Sequence, residues 1–152
     1  MRRAIATATV ALAALQVGAS AVACEIRMPP NWESKRARWI GSCHNGFAEG
    51  LGVVAYEGGK QNVTFYGRFT NGRFLRGALE EPARGIASLK TENDVVVYEY
   101  DRSDRVESIR TGADAASKVS KQLAKEGRAK EAEAYEAKAR QMLDMVFKFN
   151  VP

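Results

Sequence analysis

From Trp39 to about residue 100, apolar and polar residues alternate with a period of two; from about Asp114 to Phe147 the spacing changes to threes and fours. A period of two marks strands with one buried face, whereas a period near 3.6 marks helices with one apolar stripe. Trp39, Gly41 and Cys43 fall on one face of a first strand, with Ile40, Ser42 and His44 on the other. Asn45-Gly46 supplies a two-residue hairpin turn, since both residue types tolerate positive φ, and Gly52 to Tyr56 returns. Glu57-Gly58-Gly59-Lys60 makes the next reversal. Val63, Phe65, Gly67 and Phe69 then alternate with Thr64, Tyr66 and Arg68, and Asn71-Gly72 repeats the turn chemistry before a return strand from Phe74 to Leu79. Ile86 to Lys90 and Val95 to Tyr100 predict two more strands across Thr91-Glu92-Asn93-Asp94. A reversal at Arg102-Ser103-Asp104 predicts a last strand from Val106 to Ile109.

The segment after Asp114 is rich in Ala, Lys, Glu, Arg and Gln and holds one glycine and no proline up to Phe147. These are strong helix formers. Ala132, Tyr135, Ala139, Met142, Val146 and Phe149 form one apolar stripe, while Ala115, Val119 and Leu123 form an earlier one out of phase with it. Gly127 lies between them, which predicts a bend or a helix–turn–helix, with an unbroken helix of about 30 residues as the alternative. The expected class is therefore α+β: an antiparallel β-meander over residues 24–110 packed with a helical segment over 111–152. The stripe suits a cover for the sheet, and a helix left free for a partner's groove is the competing use of it.

Upstream of the meander, Arg2-Arg3, the uncharged run from Ala4 to Val17 and Ala21-Val22-Ala23 follow the three-part pattern of a cleavable secretory signal, residues 1–23. The run is short of the ~20 apolar residues that cross a bilayer. Removing 23 of 152 residues leaves 129, and losing Arg2 and Arg3 takes the formal net charge from +5 to +3. The expected location is periplasmic or secreted. So small a surplus gives no nucleic-acid surface, and the cluster Lys35-Arg36-Arg38 reads as a solvated loop. Pro29 and Pro30 keep residues 24–38 irregular, with Trp32 over the edge of the core.

Two readings of Cys24 stand. In an oxidising compartment, Cys24 and Cys43 read as a disulfide stabilising the fold by about 3 kcal/mol. A cysteine directly after the cut is also a lipidation site, although Ala21 occupies the place where a lipobox carries a large aliphatic residue. Membrane association is expected only if Cys24 is lipidated.

An internal repeat is the most specific feature. Trp39-x-Gly41-x4-Gly46-x3-Gly50-x-Gly52 recurs 26 residues on as Phe65-x-Gly67-x4-Gly72, with Arg76 and Ala78 in the last two glycine positions and Gly77 out of register. This pattern resembles the MORN repeat over Trp39 to Glu80. The resemblance implies a non-catalytic scaffold for protein contacts, in a family sometimes linked to lipid association; no lipid-binding motif accompanies it here. Trp39 and Phe65 read as packing residues, with Gly41, Gly46, Gly50, Gly52, Gly67 and Gly72 shaping the hairpins.

Catalytic chemistry finds little support. His44 is the only histidine and points away from Cys43 on a strand. No G-x-S-x-G occurs, and Asp101, Asp104 and Glu107 beside Arg102 and Arg105 read as a salt-bridged hairpin tip. No cofactor or metal is expected. The expected function is an exported protein-interaction module with a protein partner; an immunity-type inhibitor of an exported toxin or hydrolase, and an envelope lipoprotein or lipid binder, are its alternatives.

Overall fold

A computed structural model describes residues 23–27, 37–56 and 62–150. Residues 1–22 of the expected signal segment, Pro29-Pro30, Trp32, Lys35-Arg36 and the turn at 57–60 fall outside them. Six strands form one antiparallel sheet in strict chain order: β1 (Ala37–His44), β2 (Phe47–Tyr56), β3 (Val63–Thr70), β4 (Arg73–Glu81), β5 (Gly85–Glu92) and β6 (Val95–Tyr98). Helices α1 (Arg102–Lys125) and α2 (Ala129–Asn150) follow. The α+β meander expected from the periodicities is what the chain forms.

Hairpin chemistry sets the register. Asn45-Gly46 and Asn71-Gly72 both carry positive φ at the two turn residues (49° and 81°, 46° and 79°), and Asn93-Asp94 does the same (49° and 62°). This conformation matches the twist of the flanking strands, which is why two-residue loops close all three hairpins. Two irregularities interrupt the ladders. Gly41 pairs with Gly52 but Ser42 pairs with Glu49, so β2 bulges around Gly50, whose φ of +79° favours glycine. In β4, Arg68 of β3 faces Arg76 while Phe69 faces Phe74, leaving Leu75 as the extra residue.

The sheet buries both faces. Ile40, Val53, Tyr66 and Ala78 point toward the helices and pack with Ile109, Ala113, Ala116, Val119, Leu123 and the Ala132, Ala139, Met142, Val146 stripe of α2. The other face gathers Val54, Tyr56, Phe65, Phe69, Phe74, Leu79, Leu89 and Val96 into a second core. Each fully buried Phe or Leu contributes about 1.5–3 kcal/mol relative to exposure. The apolar stripes are thus a cover for the sheet, with α1 seated on the strands and α2 folded back on α1.

One expected strand is a helix. Val106 to Ile109 lies inside α1, which starts at Arg102. Asp101 is its N-cap, accepting from the backbone N–H of Ser103 (2.8 Å) and Asp104 (3.4 Å), so the acidic stretch read as a hairpin tip satisfies the orphan donors of a helix start. At the other end Arg128 N–H donates to Leu123 O (2.9 Å) across Gly127, closing α1 and starting the expected helix–turn–helix. Gly112 marks the closest approach of α1 to the sheet: a Cβ there would lie 2.7 Å from Ala78 Cβ and 3.0 Å from Met142 Sδ.

Candidate interaction surface

The repeat glycines form a row across the sheet. Gly41 faces Gly52, Gly52 faces Gly67, and Gly67 faces Gly77, so four strands carry glycine at one level. At Gly41 and Gly52 the absent side chains make room for a ring, while at Gly67 and Gly77 they let the backbone of the neighbouring strand, Arg76 O and Tyr66 O, come close. The indole of Trp39 lies where Cβ atoms of Gly41 and Gly52 would stand, and Phe74 Cε2 lies 2.7 Å from the place of a Gly67 Cβ. Trp39 on β1 reaches over β2 to Phe69 on β3, with centroids 4.7 Å apart. Phe69 and Phe65 both meet Phe74 edge-on at 5.4 and 5.3 Å, and Phe65 meets Tyr56 at 5.4 Å. Edge-to-face pairs of this kind add about 0.5–1.5 kcal/mol each beyond area burial. Gly77, out of step in the sequence repeat, joins the row because the extra Leu75 shifts β4 by one residue.

The remaining repeat glycines shape the end of the sheet where the turns lie. Cys24 and Cys43 are disulfide-bonded, with Cα atoms 5.7 Å apart. That bond anchors a short strap, residues 24–27, across two turns. Glu25 N–H donates to Gly46 O (2.7 Å) and its carbonyl accepts from Ala48 N–H (3.0 Å), while Arg27 N–H donates to Gly72 O (2.8 Å). A side chain on Gly72 would lie 2.8 Å from Glu25 O. The Arg27 guanidinium sits 4.0 Å over the Phe47 ring. Glu49 completes the lacing by accepting from Thr70 Oγ1 and Asn71 N–H, both at 2.9 Å. These bonds, the Asn71 amide foremost, hold its carboxyl below the ordinary 4.5. A disulfide is the mark of an oxidising, non-cytoplasmic compartment. Among the described residues, no helix is long and apolar enough to cross a membrane.

The groups capable of chemistry are dispersed or engaged. His44 is exposed at the end of β1, and the Cys43 sulfur is bonded to Cys24. Asp101 caps α1; Asp104 pairs with Lys90 at 3.2 Å, and Glu107 with Arg76. Sequence reasoning missed Glu99. Its side chain is fully buried and paired with Arg76 at 3.3 Å, while Oε2 has no hydrogen-bond partner. Burial raises its pKa above 4.5, against smaller opposing effects of Ser108 and Arg76. Ser108 Oγ is likewise buried with no hydrogen-bond partner among the described residues. No sequence signal marks Glu99: the strand expected over Val95 to Tyr100 ends at Tyr98 and leaves it outside. Beside this junction Asp101, Arg102, Ser103, Val106, Glu107 and Arg110 line an open groove of about 560 Å³. Among the described residues, no group of three His, Cys, Asp or Glu side chains is placed to hold a metal ion.

Comparison with protein-family models, with curated proteins and with solved structures returns no match for this chain.

Proposed function

We propose that this chain is an exported, periplasmic or secreted, protein-interaction module without catalytic activity, built on MORN-like hairpins. The observation that carries the reading is the in-register glycine row beneath Trp39 and Phe74, which commits the conspicuous sequence motif to shape. The engagement of Cys43, Asp101, Asp104 and Glu107 in structural bonds supports it further. Those residues are occupied in holding the fold, so the surface is what remains available for function. Lipidation of Cys24 would consume the sulfur that bonds Cys43, so the disulfide favours a form free of lipid.

In vivo photocrosslinking in the producing cell's envelope, followed by mass spectrometry, tests the proposal. A discrete crosslinked protein, lost when the disulfide is reduced and the protein unfolded, is the expected result. Crosslinks no richer than those of an unrelated exported domain would overturn it, as would hydrolytic turnover by the purified protein that survives loss of a copurifying enzyme.

A further inference from the structure

We infer that the second half of α1 carries the docking site for an acidic segment of a protein partner; this rests on the interaction-module reading and names the partner's chemistry. Lys118, Lys121 and Lys125 are exposed on α1 at spacings of three and four, which places them on one side of the helix over about 10 Å. Among the described residues none of the three has a carboxylate partner. Lys118 donates only to the neutral Ser42 Oγ at 3.3 Å. Seven other basic side chains, Arg27, Arg73, Arg76, Arg84, Lys90, Arg128 and Lys138, sit in ion pairs, and Arg102 and Arg105 are engaged with Phe149. Glu126, the acid that lines the same hollow, is already held by Gln122 at 3.0 Å and Arg128 at 3.5 Å. The three lysines, Gln122 and Glu126 line a surface hollow of about 400 Å³.

The position is open to an approaching chain. α1 crosses the sheet from β4, where Gly112 meets Ala78, to β1, where Lys118 meets Ser42, and its last two turns follow that contact. β1 is an edge strand. Charge selects the partner. Uncompensated ammonium groups within about a Debye length of each other, ~8 Å at physiological salt, raise the local concentration of carboxylates and steer their approach. A lipid surface fits less well, because interfacial binding needs large apolar residues beside the basic ones. Among the described residues, the large exposed apolar side chains are Leu75, Val95, Tyr98, Tyr100, Leu143 and Phe147, none of them on α1.

The test titrates a fluorescein-labelled deca-glutamate peptide with the exported, disulfide-intact protein, reading anisotropy at low and at physiological salt. Binding is expected, weakening steeply with salt, and Lys118→Gln/Lys121→Gln/Lys125→Gln should weaken it by about tenfold at low salt. Lys130→Gln/Arg140→Gln/Lys148→Gln, an equal charge change on α2, should alter it less than about twofold. No binding, equal losses in the two variants, or tighter binding to phosphatidylglycerol vesicles than to the peptide would each overturn the inference. Comparing the crosslinked partner separates the two proposals: its undiminished recovery by the α1 variant refutes the lysine site and leaves the interaction module standing.

Discussion

The indole of Trp39 occupies the space that a Cβ at Gly52 would need, one strand away. The two residues form a single packing unit: the ring is placed because the glycine is bare, and the bare backbone is covered because the ring is there. Gly52→Ala should therefore destabilise the protein by about 1–3 kcal/mol, the range for overpacked cores. Urea denaturation followed by tryptophan fluorescence measures this, and a midpoint equal to that of the parent would show that Trp39 can move aside at no cost.

Gly112 offers a sharper contrast, because local propensity and packing pull in opposite directions. Within an exposed helix, glycine to alanine gains up to about 1 kcal/mol. Here the added methyl meets Ala78 and Met142, so Gly112→Ala should be destabilising by about 1–2 kcal/mol instead. Far-ultraviolet circular dichroism should show helix content unchanged while the thermal midpoint falls.

Cys43→Ser removes the closure of the strap. The loss should be about 3 kcal/mol in the oxidised protein and should vanish when both proteins are compared in reductant. A midpoint that fails to drop in the oxidised pair would mean that the bonds from Glu25 and Arg27 hold the strap unaided.

Glu99 gives a pH dependence with a definite sign. Its folded pKa is raised by burial, so the folded state binds the proton more tightly than the unfolded chain does. This contribution is fully present below the unfolded value of 4.5 and is lost as pH rises through the higher folded value. Glu49 runs the other way: its carboxyl is lowered, and its contribution is lost as pH falls through the folded value. Glu99→Gln should raise stability at neutral pH relative to the parent and narrow the difference between the two proteins at about pH 5. Parallel urea midpoints for both proteins across that interval would contradict the assignment.

Much of the architecture was legible because short-range chemistry determined it. Asn45-Gly46 and Asn71-Gly72 fix hairpins by backbone conformation alone, and the Ala132 to Val146 stripe shows its buried face through spacing. The failures share a cause, which is that one local pattern served two structures. Val106 to Ile109 is too short a stretch to show its period: its apolar ends stand three residues apart, a helical spacing, and on α1 Ser108, Ile109, Gly112 and Ala116 make one buried side. Asp101 and Asp104 flank arginines as a hairpin tip would, yet Asp101 caps a helix. Gly77 could not be placed by counting, because the Leu75 bulge shifts the second repeat against the first. The buried Glu99 was invisible for a different reason: its partner Arg76 is 23 residues away, and only the folded sheet brings them together.

Every strand of this sheet lies beside its immediate neighbour in the chain, so the ladder can zip up progressively from one hairpin to the next with short loops to close at each step. Residues 24–27 depart from that economy, since they wait for turns that are synthesised later. The strap can therefore be fastened only once the turns at Gly46 and Gly72 exist to receive it, and the bond from Cys24 to Cys43 then holds it there.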